Sequence, residues 1–212
     1  ALKLLKKNVV KAPQERRAIH IQMAENYSHL GQHSSSAKSY SEARRIVDDQ
    51  VSHSKQLDQL NTGKASSRDI QNIANDYASK YPQRADRNRG LMMLVQAHLR
   101  ENNPNAAIGL LRKVLVSDAV TNSAAQVYVE KNGTEPDRMA ETERVLRDAI
   151  NKNAAHAAYL RYTLAFSLYR DRVKNLDKTR ATLRELIERS PTNDSYCRNA
   201  VNWLLDNARD DN

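Results

Sequence analysis

What most constrains the fold of this 212-residue chain is a recurrence of apolar and small side chains in fixed order. His20, Met23, Ala24 and Tyr27 are followed by Ser36, Tyr40 and Ala43; Leu91, Leu94, Val95 and His98 are followed by Ala107, Leu111 and Val114. A third series reads Leu164, Ala165 and Leu168, then Thr179, Leu183 and Leu186, with two extra residues between Arg170 and Leu176. Steps of three and four residues put each group on one face of a helix, and no stretch shows the alternation of a strand. Pro13, Pro82 and Pro191 each close an apolar helical stretch, and the first two lie 69 residues apart. Proline stops helices because its ring removes a donor and clashes with the preceding turn. Two units of about 34 residues fit that distance, and a helical hairpin of such length can bury its apolar face only by stacking on its neighbours.

Weaker copies fill the gaps. Ile70, Ala74, Tyr77 and Pro82 read as a second helix, whereas the first helix of that unit offers only Val51, Leu57 and Leu60, so Asn61 to Ser67 is expected to be a flexible loop. Ala124, Ala125 and Tyr128, a turn with Gly133 and Pro136, and then Met139, Val145, Leu146 and Ala149 form a stretched unit. Between Arg170 and Leu176 the extra residues predict a looser turn. Ala1 and Leu5 fall on second-helix positions, so the chain is expected to begin halfway through a repeat, as a fragment of a longer protein.

The residues from His20 to Asp48 resemble a tetratricopeptide repeat. The large, small and aromatic positions are held by His20, Met23, Ala24, Tyr27, Ser36, Tyr40 and Ala43, with Gly31 in the turn; His20, Ala24, Ser36 and Asp48 depart from the family pattern. The resemblance implies an all-α fold, a right-handed α-α superhelix of about five hairpins. Repeats would lie at about 17–50, 51–84, 88–119, 120–153 and 157–191, flanked by a half repeat at 1–13 and a terminal helix at 194–208.

Composition agrees with helices: only five Gly and five Pro, with 40% hydrophobic and 28% charged residues, is too apolar for a disordered chain and too poor in turn residues for an all-β fold. No apolar run approaches the ~20 residues of a membrane span. A net charge of +9 permits nucleic-acid binding, but the charge is spread along the chain and not gathered in one block. The single cysteine, Cys197, sits in an apolar helical pattern and cannot form an internal disulfide.

Chemistry is sparsely signalled. There is no glycine-rich phosphate loop, and the six histidines show neither a His-Glu-x-x-His spacing nor a neighbouring cysteine pair, so neither a cofactor nor a metal is expected. His20 and His98 fall on packing positions, and His29 and His33 are separated by the turn at Gly31. No catalytic serine or cysteine is advertised. Glu143, beside Arg144 and Arg147, reads as solvated helix surface. Asn26-Tyr27-Ser28 and Asn132-Gly133-Thr134 match the glycosylation pattern, a match with many false positives.

Function is therefore expected from a surface. In the family this chain resembles, first helices line a concave groove. The positions that usually face it are Ala18, Ile21, Glu25, Ser28 and His29 in the first copy, and Arg89, Met92, Gln96, Leu99 and Arg100 in the second. In the third they are Tyr159, Tyr162, Phe166, Tyr169 and Arg170, notable in a chain with nine Tyr, one Phe and one Trp. That stripe is read either as ligand contact or as helix packing. The resemblance implies a non-catalytic scaffold or adaptor holding a peptide or partner helix, and the arginines beside the aromatics suit one carrying acidic and apolar residues; the alternative is a basic helical-repeat RNA binder. Ile21, Glu25 and Met93 stand where a grip on the C-terminal tail of an Hsp70 or Hsp90 chaperone would need Lys and Asn, which argues against such a tail.

Overall fold

The computed structural model describes residues 12–82, 84–117, 122–133, 136–190 and 194–208. Among them every regular element is helical. In chain order these are α1 (Pro13–His29), α2 (His33–Ile46), α3 (Gln50–Thr62), α4 (Ser67–Lys80), α5 (Arg84–Arg100), α6 (Pro104–Leu115), α7 (Asn122–Asn132) and α8 (Pro136–Lys152). A short 3-10 turn (Ala154–His156) leads into α9 (Ala157–Thr163), which continues as a π-helix, π1 (Leu164–Val173), before α10 (Leu176–Arg189) and α11 (Ser195–Ala208). The expected half repeat at 1–13, up to Lys11, and the closing Pro191 lie outside the described residues.

Contacts divide the chain into two compact units, Ala1–Asn103 and Pro104–Asn212. Within each unit a helix packs on the next in sequence and, at α3/α5, α6/α8, α7/α9 and α9/α11, on the next but one. In the first unit Ala24, Ala37, Tyr40, Ala43, Leu57, Ile70, Ala74 and Tyr77 are buried. The small residues allow close approach: the Ser36 hydroxyl donates to the Ala24 carbonyl at 2.7 Å, tying α2 to the middle of α1. In the second unit Leu111, Leu146, Leu160, Leu164, Leu168 and Leu183 form the interior.

Three helices of the first unit end in one way. At α1 the amide of Gln32 donates to the Tyr27 carbonyl (2.8 Å) and that of Gly31 to Ser28 (3.0 Å), a Schellman cap that needs a left-handed residue, and Gly31 has φ 70. Lys64 (φ 54) after α3 and Asn102 (φ 55) after α5 repeat it, with Ala65 donating to Leu60 and Asn103 to His98. The expected flexible loop at Asn61 to Ser67 is thus corrected. Residues 50–62 form a full helix, opened by the Asp49 side chain accepting from the Ser52 amide (3.0 Å) and closed by this tight turn. The apolar pattern understated α3 because its inward face buries Ser52, His53 and Gln56 beside Leu57.

The looser turn expected between Arg170 and Leu176 is corrected too. A π-helix closes i→i+5, holding about one residue more per turn than an α-helix. Over the ten residues of π1 that absorbs about two residues, the excess counted in the sequence. The cap follows the same register: Lys174 takes φ 57, and the Asn175 amide reaches back six residues to the Tyr169 carbonyl (2.9 Å).

Candidate partner-binding face

Helix α3 presents Val51, Ser54, Lys55 and Asp58 on the side opposite its buried residues, the i, i+3, i+4, i+7 spacing of a single face. From α5, Arg89 reaches across, and its Nη2 donates to both carboxylate oxygens of Asp58 at 2.6 and 2.7 Å. With Gln50 at the entrance and Tyr77 of α4 at the base, these residues line a cleft of about 510 Å³. Val51 is 68% exposed at its rim, an isolated apolar foothold. Lys55 is exposed beside it.

The face continues on both sides of the cleft. Gln59 of α3 donates to the Ser28 hydroxyl of α1 at 3.0 Å, while its carbonyl oxygen lies 2.9 Å from His33 Nδ1. Tyr40 rises from α2 beneath it, and its hydroxyl is pushed above the ordinary tyrosine range by burial and then by the negative charges of Glu25 and Asp58. On α5, Met92 is half-buried and Gln96 exposed, and Arg100 donates to the Asn61 side chain (3.1 Å) and the Ala65 carbonyl (3.2 Å). Arg89, Met92, Gln96 and Arg100 therefore share one accessible helix face with the cleft at one end. Such a surface is mixed in charge and hydrogen-bonding, with exposed donors on Lys55 and unused ones on Arg89.

The aromatic set of the second unit is placed otherwise. Tyr159 and Tyr162 stack on Tyr196 of α11 with centroids 5.4 and 5.3 Å apart. Phe166 lies 4.5 Å from Tyr162, meets Trp203 edge-on at 5.7 Å and carries the Arg170 guanidinium 4.6 Å above its ring. Tyr169 is wholly buried and turns to other partners: Arg147 Nη2 donates to its hydroxyl at 3.1 Å, and Lys178 Nζ sits 5.1 Å from its ring centre. Burial, with Glu143 as the next cause, holds that hydroxyl well above the usual range. The groove position expected for Phe166 and Tyr169 is corrected, and of the two readings of the stripe helix packing is the one that fits them, since both are buried. Helix α11 occupies the face that Phe166 would have offered, and the π register carries Tyr169 out of line with the residues before it. Arg170 stays partly exposed, paired with Asp171 at 2.6 Å.

Other polar residues are engaged structurally. Arg44 donates to Asp48 (2.9 Å), Gln56 (2.8 Å) and Asp76 (2.9 Å), and Lys80 joins Asp48 and Asp76, tying α2 through α4 together. His53 is fully buried beside this network, its Nε2 donating to the Ile73 carbonyl at 3.0 Å. Glu143, read from sequence as solvated surface, bonds Lys178 at 2.9 Å and Arg147 at 3.3 Å and so bridges α8 to α10. Asn132 is buried and donates to Tyr128 and Thr142, so it is closed to glycosylation in the folded chain. Among the described residues no group of three His, Cys, Asp or Glu is arranged to hold a metal ion, and no helix is long and apolar enough to cross a membrane.

Sequence reasoning missed Ser54, Lys55 and Asp58 because they lie on the helix whose apolar signal is weakest, and it counted Val51 with Leu57 and Leu60 in the apolar pattern, whereas Val51 is exposed. Two signals pointed to them: the Asp49 cap three residues before Ser52, and the i, i+3, i+4, i+7 spacing itself. No family profile, no curated protein and no solved structure matches the chain.

Proposed function

We propose that the chain is a tetratricopeptide-like solenoid and a non-catalytic adaptor, which holds an extended peptide or a partner helix on the first-helix face of its N-terminal unit. The observation that carries this reading is the cleft of Gln50, Val51, Ser54, Lys55, Asp58, Tyr77 and Arg89, which joins an exposed apolar side chain to oriented donors on rigid helices. The solenoid architecture is supported by side-chain bonds linking points about one repeat apart. Arg17 to Asp49 and Arg44 to Asp76 each span 32 residues, Ser67 to Glu101 spans 34, and Lys178 to Glu143 spans 35. Bonds at one such separation are what stacked copies of a single unit produce.

With Phe166 and Tyr169 engaged by their own chain, contact energy for a partner comes from Val51 and Met92, and orientation from Lys55, Arg89 and Arg100. The test compares proteins captured from native extract by the wild-type chain and by Val51→Asp, a change at an exposed position that leaves the helical circular dichroism spectrum intact. A partner retained by the first and lost by the second supports the groove; equal capture by both refutes it. An RNA-binding activity would instead fall steeply with salt, because phosphate contacts release counterions.

A further inference from the structure

Helix α11 closes the described fold, yet its outward face is not wholly polar. Its inward side chains Cys197 and Ala200 are buried with Ala165, Phe166, Leu183 and Leu186. On the other side Val201 and Leu205 are 37% and 61% exposed, one turn apart at the centre of the helix. Here the two apolar residues are bracketed by Arg198 toward the N-terminal end and Asp206 toward the C-terminal end, both exposed. At 3.6 residues per turn all four lie within about 140° of arc. Neither Arg198 nor Asp206 has a side-chain ion pair among the described residues.

We infer that this face docks a second copy of the chain, α11 against α11, antiparallel across a two-fold axis. The charge order selects that geometry. A parallel pairing would set Arg198 on Arg198 and Asp206 on Asp206. Reversing one helix about Asn202 sets Arg198 of each copy against the partner copy's Asp206, and reversing it about Trp203 sets Val201 against Leu205. Those two centres differ by one residue, which offsets the facing pairs by two residues, about 3 Å along the helix, within the reach of an arginine side chain. The surface is thereby self-complementary, as a two-fold interface must be, with an apolar centre closed by an ion pair at each end. One helix from each copy gives a small interface, so the dimer is weak and forms in the micromolar range. The inference does not depend on the groove of the N-terminal unit, since it uses only burial and charge on α11.

Sedimentation equilibrium from about 5 to 500 µM brackets the affinity expected of so small an interface. The wild-type chain is expected to pass from monomer to dimer across that span. Leu205→Glu should remain monomeric with unchanged helical circular dichroism. Asp206→Arg should weaken association by at least about fivefold, because two like-charge contacts replace two ion pairs. Arg198→Asp combined with Asp206→Arg restores the complementarity and should return the dissociation constant to within about twofold of wild type. A chain that stays monomeric throughout, a dimer indifferent to Leu205→Glu, or a double swap no better than Asp206→Arg alone overturns the inference. Growth past the dimer into open chains overturns it as well, since that requires two different surfaces.

Discussion

Replacing Gly90 and Gly109 by alanine, one at a time, sets helix propensity against packing. Both glycines lie inside helices, where alanine is intrinsically favoured by about 1 kcal/mol because it loses less backbone entropy. At Gly109 of α6 an added methyl group meets nothing within 4 Å, so the propensity gain is kept. At Gly90 of α5 it would stand 3.0 Å from the Ala74 carbonyl oxygen, 3.1 Å from its Cα and 3.2 Å from its Cβ. These atoms belong to the buried middle of α4 and cannot turn aside as a side-chain tip would, so α5 must move off α4. Overpacking of this kind costs about 1 to 3 kcal/mol, which offsets or exceeds the propensity gain. Gly109→Ala should raise the urea midpoint, and Gly90→Ala should lower it or leave it at the wild-type value. If Gly90→Ala stabilises the chain as much as Gly109→Ala, the close α4/α5 crossing is wrong. The register that puts Arg89 over Asp58 would then be wrong too.

Asp49→Ala removes both the cap on the Ser52 amide and the 2.7 Å pair with Arg17, and should lower stability in urea melts by about 1 to 2 kcal/mol. Tyr40, 4% exposed, should cost roughly 3 to 5 kcal/mol on truncation to alanine, more than half-buried Tyr162 in the same melts. His53 is held below its ordinary value of 6.5 by burial and then by Arg44, so the unfolded chain takes up the proton first. Its contribution is complete above that value and is lost as pH falls below it through the lower folded value, and His53→Gln should flatten that acid limb of a thermal stability profile while lowering the plateau.

The helices were legible wherever their inward faces are apolar. Tyr40, Ala43, Tyr77, Leu111, Leu146 and Leu183 recur at helical spacing, and all are buried. Legibility failed where burial and polarity part company. Ser52, His53 and Gln56 fill the interior side of α3 because Asp49 accepts from the Ser52 amide, the Ile73 carbonyl accepts from His53 Nε2 and Arg44 donates to Gln56. Those partners lie 3, 20 and 12 residues away, and only the first is close enough to read along the chain. The insertion before Leu176 failed differently. Its length was evident, but a loop and a π-helix absorb two residues equally well in one dimension. What separates them is the packing of Leu164, Ala165 and Leu168, all buried, which keeps the backbone helical up to the insertion.

The site was harder to read because a spacing of i, i+3, i+7 and i+10 marks one face only while the helix keeps an α register. Tyr159, Tyr162 and Phe166 hold that relation and meet Tyr196 and Trp203; Tyr169, deeper in π1 than Phe166, does not, and its hydroxyl goes to Arg147. The chain has few aromatic side chains, and this cluster spends several of them on seating α11. What is left for a partner is chemically plainer. Val51 and Met92 sit among Lys55, Arg89 and Arg100, on helices fixed by bonds such as Gln59 to Ser28 and Arg89 to Asp58. A surface of that kind offers little apolar area, so its affinity has to come from preorganised donors, and loosening the supporting bonds should weaken a partner as much as removing a contact does. Asp58→Asn, which leaves Val51 and Lys55 in place but frees Arg89, is the substitution that separates those two sources of binding. A weaker complex assigns the binding to preorganisation; an unchanged or tighter one assigns it to the contacts alone.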